Sequence, residues 1–456
     1  MYILANGQDL DIETLSEFLS EHSGWVLHRY KPLMDAYRGI YPILSQSSKP
    51  NGKPDKRIVA NFAKYITDTL NGYFIGVPIK ISADDDRVTD YVNTLDQYND
   101  QDNGNAELSK MCSIYGKAYE MYYVDEYGNI GIVNLSPEDA FMVHDDSILH
   151  RPRYFVRIYK DAENTVYVSV SDDRRVRYAT MEGGLHWVPE DEKVHGFDGV
   201  PATEYLQNAE EIGVFEPVLS MINEYNEALS EKGNDVAYFA DAYLKILGAK
   251  LQESDLAYIR DNRIINFPGL LDGSLDVGFL DKPNGDTTQE NLLDRLERLI
   301  YQISMVANIS DENFGTSSGI ALRYKLLAMS NLAMDKQRKF TSGLNRRYKL
   351  IFSNPVSGMQ PEDWIQLRYT FTQNVPSNLL EESQIAGNLA GIVSQETQLS
   401  VLSIVDDVRQ EIEQIKQDEE DDTTDGFPTS RTVDVVEEVP DDELLDRPAG
   451  SAAENS

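Results

Sequence analysis

A chain of 456 residues with 41% hydrophobic and 26% charged residues is long enough for two or three domains and apolar enough to bury a core. Its 77 acidic against 41 basic residues give a formal net charge of −36, which excludes a protein that grips nucleic acid over its whole surface, because phosphate neutralisation needs a basic footprint. No run of eighteen or so apolar residues spans a bilayer, and MYILANGQDLDIE lacks the basic and apolar regions of a signal peptide, so the chain is expected to stay in the cytosol with no membrane partner.

In chain order, DIETLSEFLSEH reads as a helix with Asp11 as its N-cap, and VLHRYKPLMDAYRGIY continues it. SSKPNGKPDK is a loop by its Pro, Gly and Ser content. RIVANFAKYITDTLNGYF then sets Ile58, Phe62, Tyr65, Ile66 and Leu70 on one helical face, with Gly72 as the stop. GVPIKIS reads as a strand, and a helix around ELSKMCSIYGKAYEM leads into strands at GNIGIVNLS, YFVRIYK, NTVYVSVS and RRVRYATM. The single cysteine, Cys112, sits on that helix's apolar pattern and reads as packed core rather than nucleophile. An α+β domain therefore ends near Gly213.

From Val214 the pattern turns to long helices. Pro217 opens one of about 25 residues, with Val218, Ile222, Tyr225, Leu229, Val236 and Phe239 at helical spacing. AYLKILG is a strand, RIINFPG and SLDVGFLDKP belong to a small mixed insert, and TTQENLLDRLERLIYQISMVAN is a second helix with Leu292, Leu296, Leu299, Ile303 and Val306 on its seam. The polar link ISDENFGTSS precedes a long basic helix from Gly319 to about Phe352, weakest at Gly343. EDWIQLRYTFTQ alternates as a strand, and Leu379 to Lys416 reads as helical. Residues 418–456 carry about a third of the excess negative charge and read as a disordered, solvated tail.

Catalytic chemistry is hard to find. GTSSG at Gly315 to Gly319 matches GxSxG, but no strand precedes it and no histidine follows His195, so Ser317 and Ser318 read as loop residues capping a helix. His22, His28, His144, His150, His186 and His195 lack metal-ligand spacing, and the Asp84-Asp85-Asp86, Asp145-Asp146 and Asp172-Asp173 runs lack the Gly and Glu of a calcium loop. No Walker A motif is present. No catalytic residue, metal or cofactor is expected, which leaves a structural or interaction protein.

Four stretches carry a resemblance: RIVANFAKYITDTLNGYFIGVPIKIS from Arg57, EYNEALSEKGNDVAYFADAYLKILG from Glu224, SGIALRYKLLAMSNLAMDK from Ser318, and SQETQLSVLSIVDDVRQEIEQI from Ser394. Together, and in this order, they resemble the portal proteins of tailed bacteriophages, in the siphophage branch infecting Gram-positive hosts. The resemblance implies an α+β portal fold. Residues 1–213 would form a wing, completed by 354–376, whose strand lies at 362–372. Residues 214–241 and 288–308 would be stem helices, 242–287 a small α/β clip, 309–318 a tunnel loop, 319–353 a long helix under the wing, and 377–417 a helical crown.

Membership implies a homo-oligomeric ring, usually of twelve copies, at one capsid vertex of the virion, assembled in the host cytoplasm. Double-stranded DNA would pass through it during packaging and ejection. The terminase large subunit and later a head-completion or adaptor protein would dock on it, beside the major capsid and scaffolding proteins. The tunnel loop would comprise Asn308, Ser310, Asp311, Glu312, Asn313, Phe314, Gly315, Thr316, Ser317 and Ser318. Twelve copies would carry a charge of about −430, and an acidic wall would keep DNA centred and sliding. For the basic residues of the long helix, Arg323, Lys325, Lys336, Arg338, Lys339, Arg346, Arg347 and Lys349, two uses stand open: pairing with acidic groups of a neighbouring subunit, or a weak phosphate-facing ring. Arg323 and Lys325, nearest the loop, are favoured for the channel. Alternative readings are another capsid or head-tail connector protein and, least favoured, a hydrolase on the GTSSG serine.

Overall fold

The N-terminal helix begins where the sequence sets its cap: the Asp11 side chain accepts from the Thr14 backbone N–H at 2.8 Å, and α1 (Ile12–Trp25) follows. A π-turn at Val26–Tyr30 joins it to α2 (Lys31–Tyr37). Pro32 explains the turn, because it has no N–H to offer His28 and the ladder there slips to a Lys31-to-Val26 bond. The computed structural model describes residues 2–49, 54–239, 244–247, 264–267, 276–279, 286–309, 319–375, 379–402, 404–405 and 408–424. The chain divides into two units, Met1–Val375 and Pro376–Ser456.

In the first unit, α3 (Phe62–Ile75) starts five residues later than the sequence suggests, and Gly72 lies inside it rather than at its end. Residues 57–60, expected as helix, have no regular secondary structure, and neither does Lys56 before them. Their backbone donors are taken by side chains of α6 (Leu219–Phe239): Lys56 N–H reaches Asn234, Ile58 N–H reaches Ser230 and Ala60 N–H reaches Asn226, at 2.6, 2.9 and 2.8 Å. Asn61 then caps α3 through Lys64 N–H. Beyond β2 (Lys80–Ser82) come α4 (Asp86–Tyr98) and α5 (Gln101–Tyr115). The expected helix through KAYEM stops at Gly116, which sits at φ +86° where a Cβ would lie 1.9 Å from the Glu211 carbonyl oxygen. Residues Lys117–Val124 are accordingly strand β3.

β3 is the middle of a three-stranded antiparallel sheet between β10 (Ala202–Leu206) and β4 (Ile130–Leu135). A six-stranded sheet holds β1 (Tyr2–Leu4), β5 (Ala140–Asp145), β6 (Pro152–Lys160), β7 (Val166–Ser171), β8 (Arg175–Thr180) and β9 (His186–Val194) in that order, parallel only between β1 and β5. Leu15 and Leu19 of α1 bury against Phe141, Val143, Val156 and Val168 on one face. Tyr119, Met142 and Phe155 join the two sheets on the other.

After α6, a three-stranded sheet places β11 (Leu244–Leu247) between β12 (Ile264–Phe267) and β13 (Asp276–Phe279), with β12 parallel and β13 antiparallel to it. The second long helix, α7 (Asp286–Ser304), buries Leu293 and Ile300, while Leu292 and Ile303 stay exposed; its seam is offset from the expected one. Helix α8 (Gly319–Ser353) is continuous through 35 residues, about 50 Å. β14 (Arg368–Thr370), shorter than expected, pairs with β2.

Among its described residues the second unit holds three helices where the sequence suggests one helical element: α9 (Leu379–Leu389), α10 (Gln395–Leu399) and α11 (Val408–Thr424). Ser394 caps α10 through Thr397 N–H. α11 runs to Thr424, so Asp418 to Thr424, expected as tail, are helical.

Gly343, the expected weak point, does not interrupt α8. It lets the helix approach β10, since a Cβ there would lie 2.2 Å from the ring of fully buried Tyr205. Gly343→Ala is therefore expected to lose about 1–3 kcal/mol by overpacking. Gly72→Ala, with open space around its Cβ in α3, is expected to gain up to about 1 kcal/mol from helix propensity. Urea unfolding of both variants beside wild type measures the opposite signs.

Candidate channel and assembly elements

Helix α8 buries one row of side chains: Leu326, Met329, Ala333, Lys336, Phe340, Leu344, Arg347 and Ile351, each at most 6% exposed and spaced three or four apart. Two of its eight members are cations. Arg347 lies with Glu120 at zero exposure, donating from Nε to one carboxylate oxygen at 2.9 Å and from Nη2 to the other at 2.5 Å. Nη2 also reaches Asn105 Oδ1 at 2.6 Å. Burial works against the guanidinium charge, but Glu120 outweighs it and holds Arg347 firmly protonated. The next residue, Tyr348, donates to Asp96, whose carboxyl is raised by burial to about 6 despite Arg347 nearby.

Lys336 has no such counter-charge. Its ammonium donates to the Ser109 carbonyl at 2.8 Å and Ser113 Oγ at 2.6 Å, 5.4 Å from the Phe74 ring centre, and burial lowers its pKa to about 7. Cys112 beside it is fully buried, its thiol pushed up to about 12 by burial, in keeping with a core residue. Arg346 turns to the chain's own backbone, donating to the Ala202 and Val200 carbonyls at 3.2 and 3.4 Å.

Eight basic residues of this helix were expected at DNA or a neighbouring subunit, and the structure divides them, with Lys349 exposed near its end. Lys336, Arg346 and Arg347 are taken by groups of this chain itself, which corrects that expectation for all three. Lys339 is half-buried, while Arg323 and Lys325 are exposed near the start of α8 with Tyr324 between them at 75% exposure. Arg338 pairs with Asp335 on the surface. The sequence held part of the signal: Lys336 and Arg347 fall on the three-four row of apolar residues, but Lys325, four before Met329, and Arg323, three before Leu326, meet the same spacing at the row's start and are exposed.

The α6–α7 pair is tied by polar contacts. Lys232 pairs with Glu290, Gln289 donates to Asp235 at 3.2 Å, and Phe62 packs edge-on against both Tyr225 and Tyr301. Asn226, Ser230 and Asn234, buried at spacing four, form the row that holds residues 56–60. Sequence reading followed the apolar positions of α6 and passed over that row. After α7, Met305 at φ +60° turns the chain, Asn308 donates to Glu297 at 3.3 Å, and Ile309 N–H donates to the Tyr65 hydroxyl at 2.9 Å. Ser310, Asp311, Glu312, Asn313, Phe314, Gly315, Thr316, Ser317 and Ser318 lie outside the described residues, as do 242–243, 248–263, 268–275 and 280–287 in part.

The aspartate runs serve turns. Asp85 accepts from Arg87 N–H at the start of α4, Asp145 from Arg151 N–H, and Asp172 from the N–H groups of Arg174 and Arg175. Among the described residues no cluster of three His, Cys, Asp or Glu could hold a metal ion, and no helix is long and apolar enough to cross a membrane.

A family model described as phage portal protein, SPP1 Gp6-like, matches residues 17–425. The portal protein of Bacillus phage SPP1 is 23% identical over 411 residues, covering 84% of this chain and 80% of that protein. The portal protein of Clostridium phage phiCD119 is 22% identical over 401 residues, covering 81% and 86%. Among solved structures, chains from the neck of an empty gene transfer agent particle and from a native gene transfer agent virion each align at TM-score 0.44 and 13% identity, covering 75% and 82% of this chain and 90% and 92% of theirs.

Two expectations test the buried row of α8. Glu120→Gln leaves Arg347 buried without its counter-charge and is expected to cost about 3–5 kcal/mol, whereas the joint change Glu120→Leu with Arg347→Met costs far less; guanidinium unfolding compares them. For Lys336 the folded pKa is lowered from the ordinary 10.5 to about 7. Between those values the unfolded chain binds the extra proton, so this group's penalty is complete below pH 7 and is relieved as pH rises toward 10.5. Lys336→Met should therefore raise stability more at pH 6.5 than at pH 10, as read from denaturation midpoints at each pH.

Proposed function

The chain belongs to the SPP1 Gp6-like phage portal proteins, and from that premise we propose that it forms a ring of about twelve copies at one vertex of a phage capsid, the conduit through which double-stranded DNA enters and leaves. The observation that carries this reading is the family match across residues 17–425, which leaves only short ends of the chain outside it. In this reading 1–213 with 354–376 is the wing, α6 and α7 are the stem, 242–287 is the clip, 309–318 the tunnel loop, α8 the helix leading from that loop, and 377–417 the crown. The ring is a virion component assembled in the host cytoplasm. Its docking partners are the terminase large subunit, a head-completion or adaptor protein, and the major capsid and scaffolding proteins.

The mechanism proposed is passage without grip. Each basic contact to phosphate releases counterions and adds a barrier to sliding. A chain with 36 more negative than positive groups, two of whose cations, Lys336 and Arg347, are fully buried, offers a polyanion few places to bind. Arg323 and Lys325, exposed at the head of α8 and nearest the loop, are the residues proposed to meet DNA. Asn308, Ser310, Asp311, Glu312, Asn313, Phe314, Gly315, Thr316, Ser317 and Ser318 are proposed to line the narrowest part of the bore. The reading as another head-tail connector is disfavoured by the family match, and the GTSSG serine has no histidine after it in the chain.

Negative-stain electron microscopy of the purified protein, with mass determination, is expected to show rings with a central hole and about twelve-fold symmetry. A monomer across salt and concentration would remove the conduit reading. In assembled particles, Arg323→Glu with Lys325→Glu is expected to leave ring formation intact and shorten the packaged DNA; full-length packaged DNA would clear these two residues of the role.

A further inference from the structure

The α6–α7 pair carries unlike charges on its two outer sides. At 100° per residue, Arg295 and Arg298 of α7 lie opposite the buried Leu293 and Ile300, in an exposed row with Asn291 and Gln302, and Asp294 stands at its edge. On α6, Glu224, Glu227 and Glu231 form an exposed row turned away from Tyr225 and from the buried Asn226 and Ser230. Glu227 accepts from Gln46 at 3.1 Å and Glu231 pairs with Lys49 at 2.6 Å, each leaving carboxylate capacity open, and Glu231 keeps 59% of its side chain exposed. Among the described residues Arg295, Arg298 and Glu224 have no ion-pair partner.

The heights of the two rows match. Lys232 with Glu290 ties the helices at one level, and Phe62 between Tyr225 and Tyr301 ties them at another. Between those ties lie Arg295 and Arg298 on α7 and Glu227 and Glu231 on α6, with Glu224 one residue beyond. Copies in a closed ring share one height along the axis, and a head-to-tail interface brings one side of each copy against the other side of the next.

We propose that Arg295 and Arg298 of one copy pair with the Glu224, Glu227 and Glu231 row of the adjacent copy, closing the ring at the level of the helix pair. This inference rests on the ring reading above. The pairing gives an acidic chain a local attraction in the register that cyclic symmetry demands, and it selects the partner face and the speed of encounter.

The test is charge reversal on the full chain, followed by mass photometry and electron microscopy, with circular dichroism confirming that these exposed substitutions leave folding unchanged. Arg295→Glu with Arg298→Glu, and separately Glu224→Lys with Glu227→Lys, are each expected to lower the ring fraction about tenfold or more, and the four changes together to restore it. As an orthogonal readout, Glu227→Cys with Arg298→Cys should give inter-subunit disulfide ladders, cleanly so because the one native cysteine is fully buried. Wild-type rings that survive both reversals, or a four-fold variant that stays apart, would overturn the pairing alone. Rings that survive reversal but lose packaged DNA would put Arg295 and Arg298 on DNA and likewise overturn it. A monomeric wild type would overturn the ring reading and the pairing with it.

Discussion

The joint on which this molecule depends is the Arg347–Glu120 pair at zero exposure. It joins α8 to β3, and through Asn105 to α5, in a place where no water can stand in for a missing partner. Such a pair adds little net stability over a well-packed apolar equivalent, because desolvation of both ions offsets their attraction. What it adds is register. A shift of α8 by one residue would strand both charges, so of all the ways a 35-residue helix could lie across this core, one is allowed. Gly343, four residues earlier, narrows the choice again by admitting only a backbone without a Cβ against Tyr205.

That anchoring separates two populations of basic residue on a single helix. From its middle onward three cations are held by this chain's own groups, Arg347 on Glu120, Arg346 on two carbonyls and Lys336 on two oxygens of Ser109 and Ser113, while Arg338 and Lys349 stay on the surface. Near its N-terminal end Arg323 and Lys325 face outward. A count of charges along α8 therefore overstates its affinity for phosphate, since a guanidinium locked in the core releases no counterions. Local burial, more than net composition, decides how slippery a wall built from this chain would be.

Much of the architecture was legible because its signals are local. Period-two alternation marks β6, β7 and β8, and the Asp11 cap fixes the start of α1. The failures have physical causes that act across distance. Residues 56–60 have helical composition but give their N–H groups to Asn226, Ser230 and Asn234, more than 160 positions away. KAYEM reads as helix until Gly116 meets Glu211. The seam of α7 lies on Leu293 and Ile300 because Tyr301 must reach Phe62, a demand absent from the leucine pattern itself. For Lys336 and Arg347 part of the information was there: each stands in the middle of the row, with buried apolar residues three or four positions away on both sides. Reading charge before periodicity hid it.

For a ring of such chains the long-range and short-range electrostatics oppose each other, and salt decides between them. At physiological ionic strength charges interact over roughly 8 Å, so the −36 of one copy is felt by the next mainly where their surfaces touch. Repulsion between distant carboxylates is screened, whereas an arginine in contact with a glutamate is not. A strongly acidic protein can then assemble through a few matched contacts while presenting an unattractive wall to DNA elsewhere. The same distribution sets a limit in the other direction. As salt is lowered, the Debye length grows to about 30 Å at 0.01 M, whole-chain repulsion returns, and contact pairs lose to it. Rings held by such contacts should be most stable at intermediate salt, a behaviour opposite to that of an assembly held by basic patches on DNA.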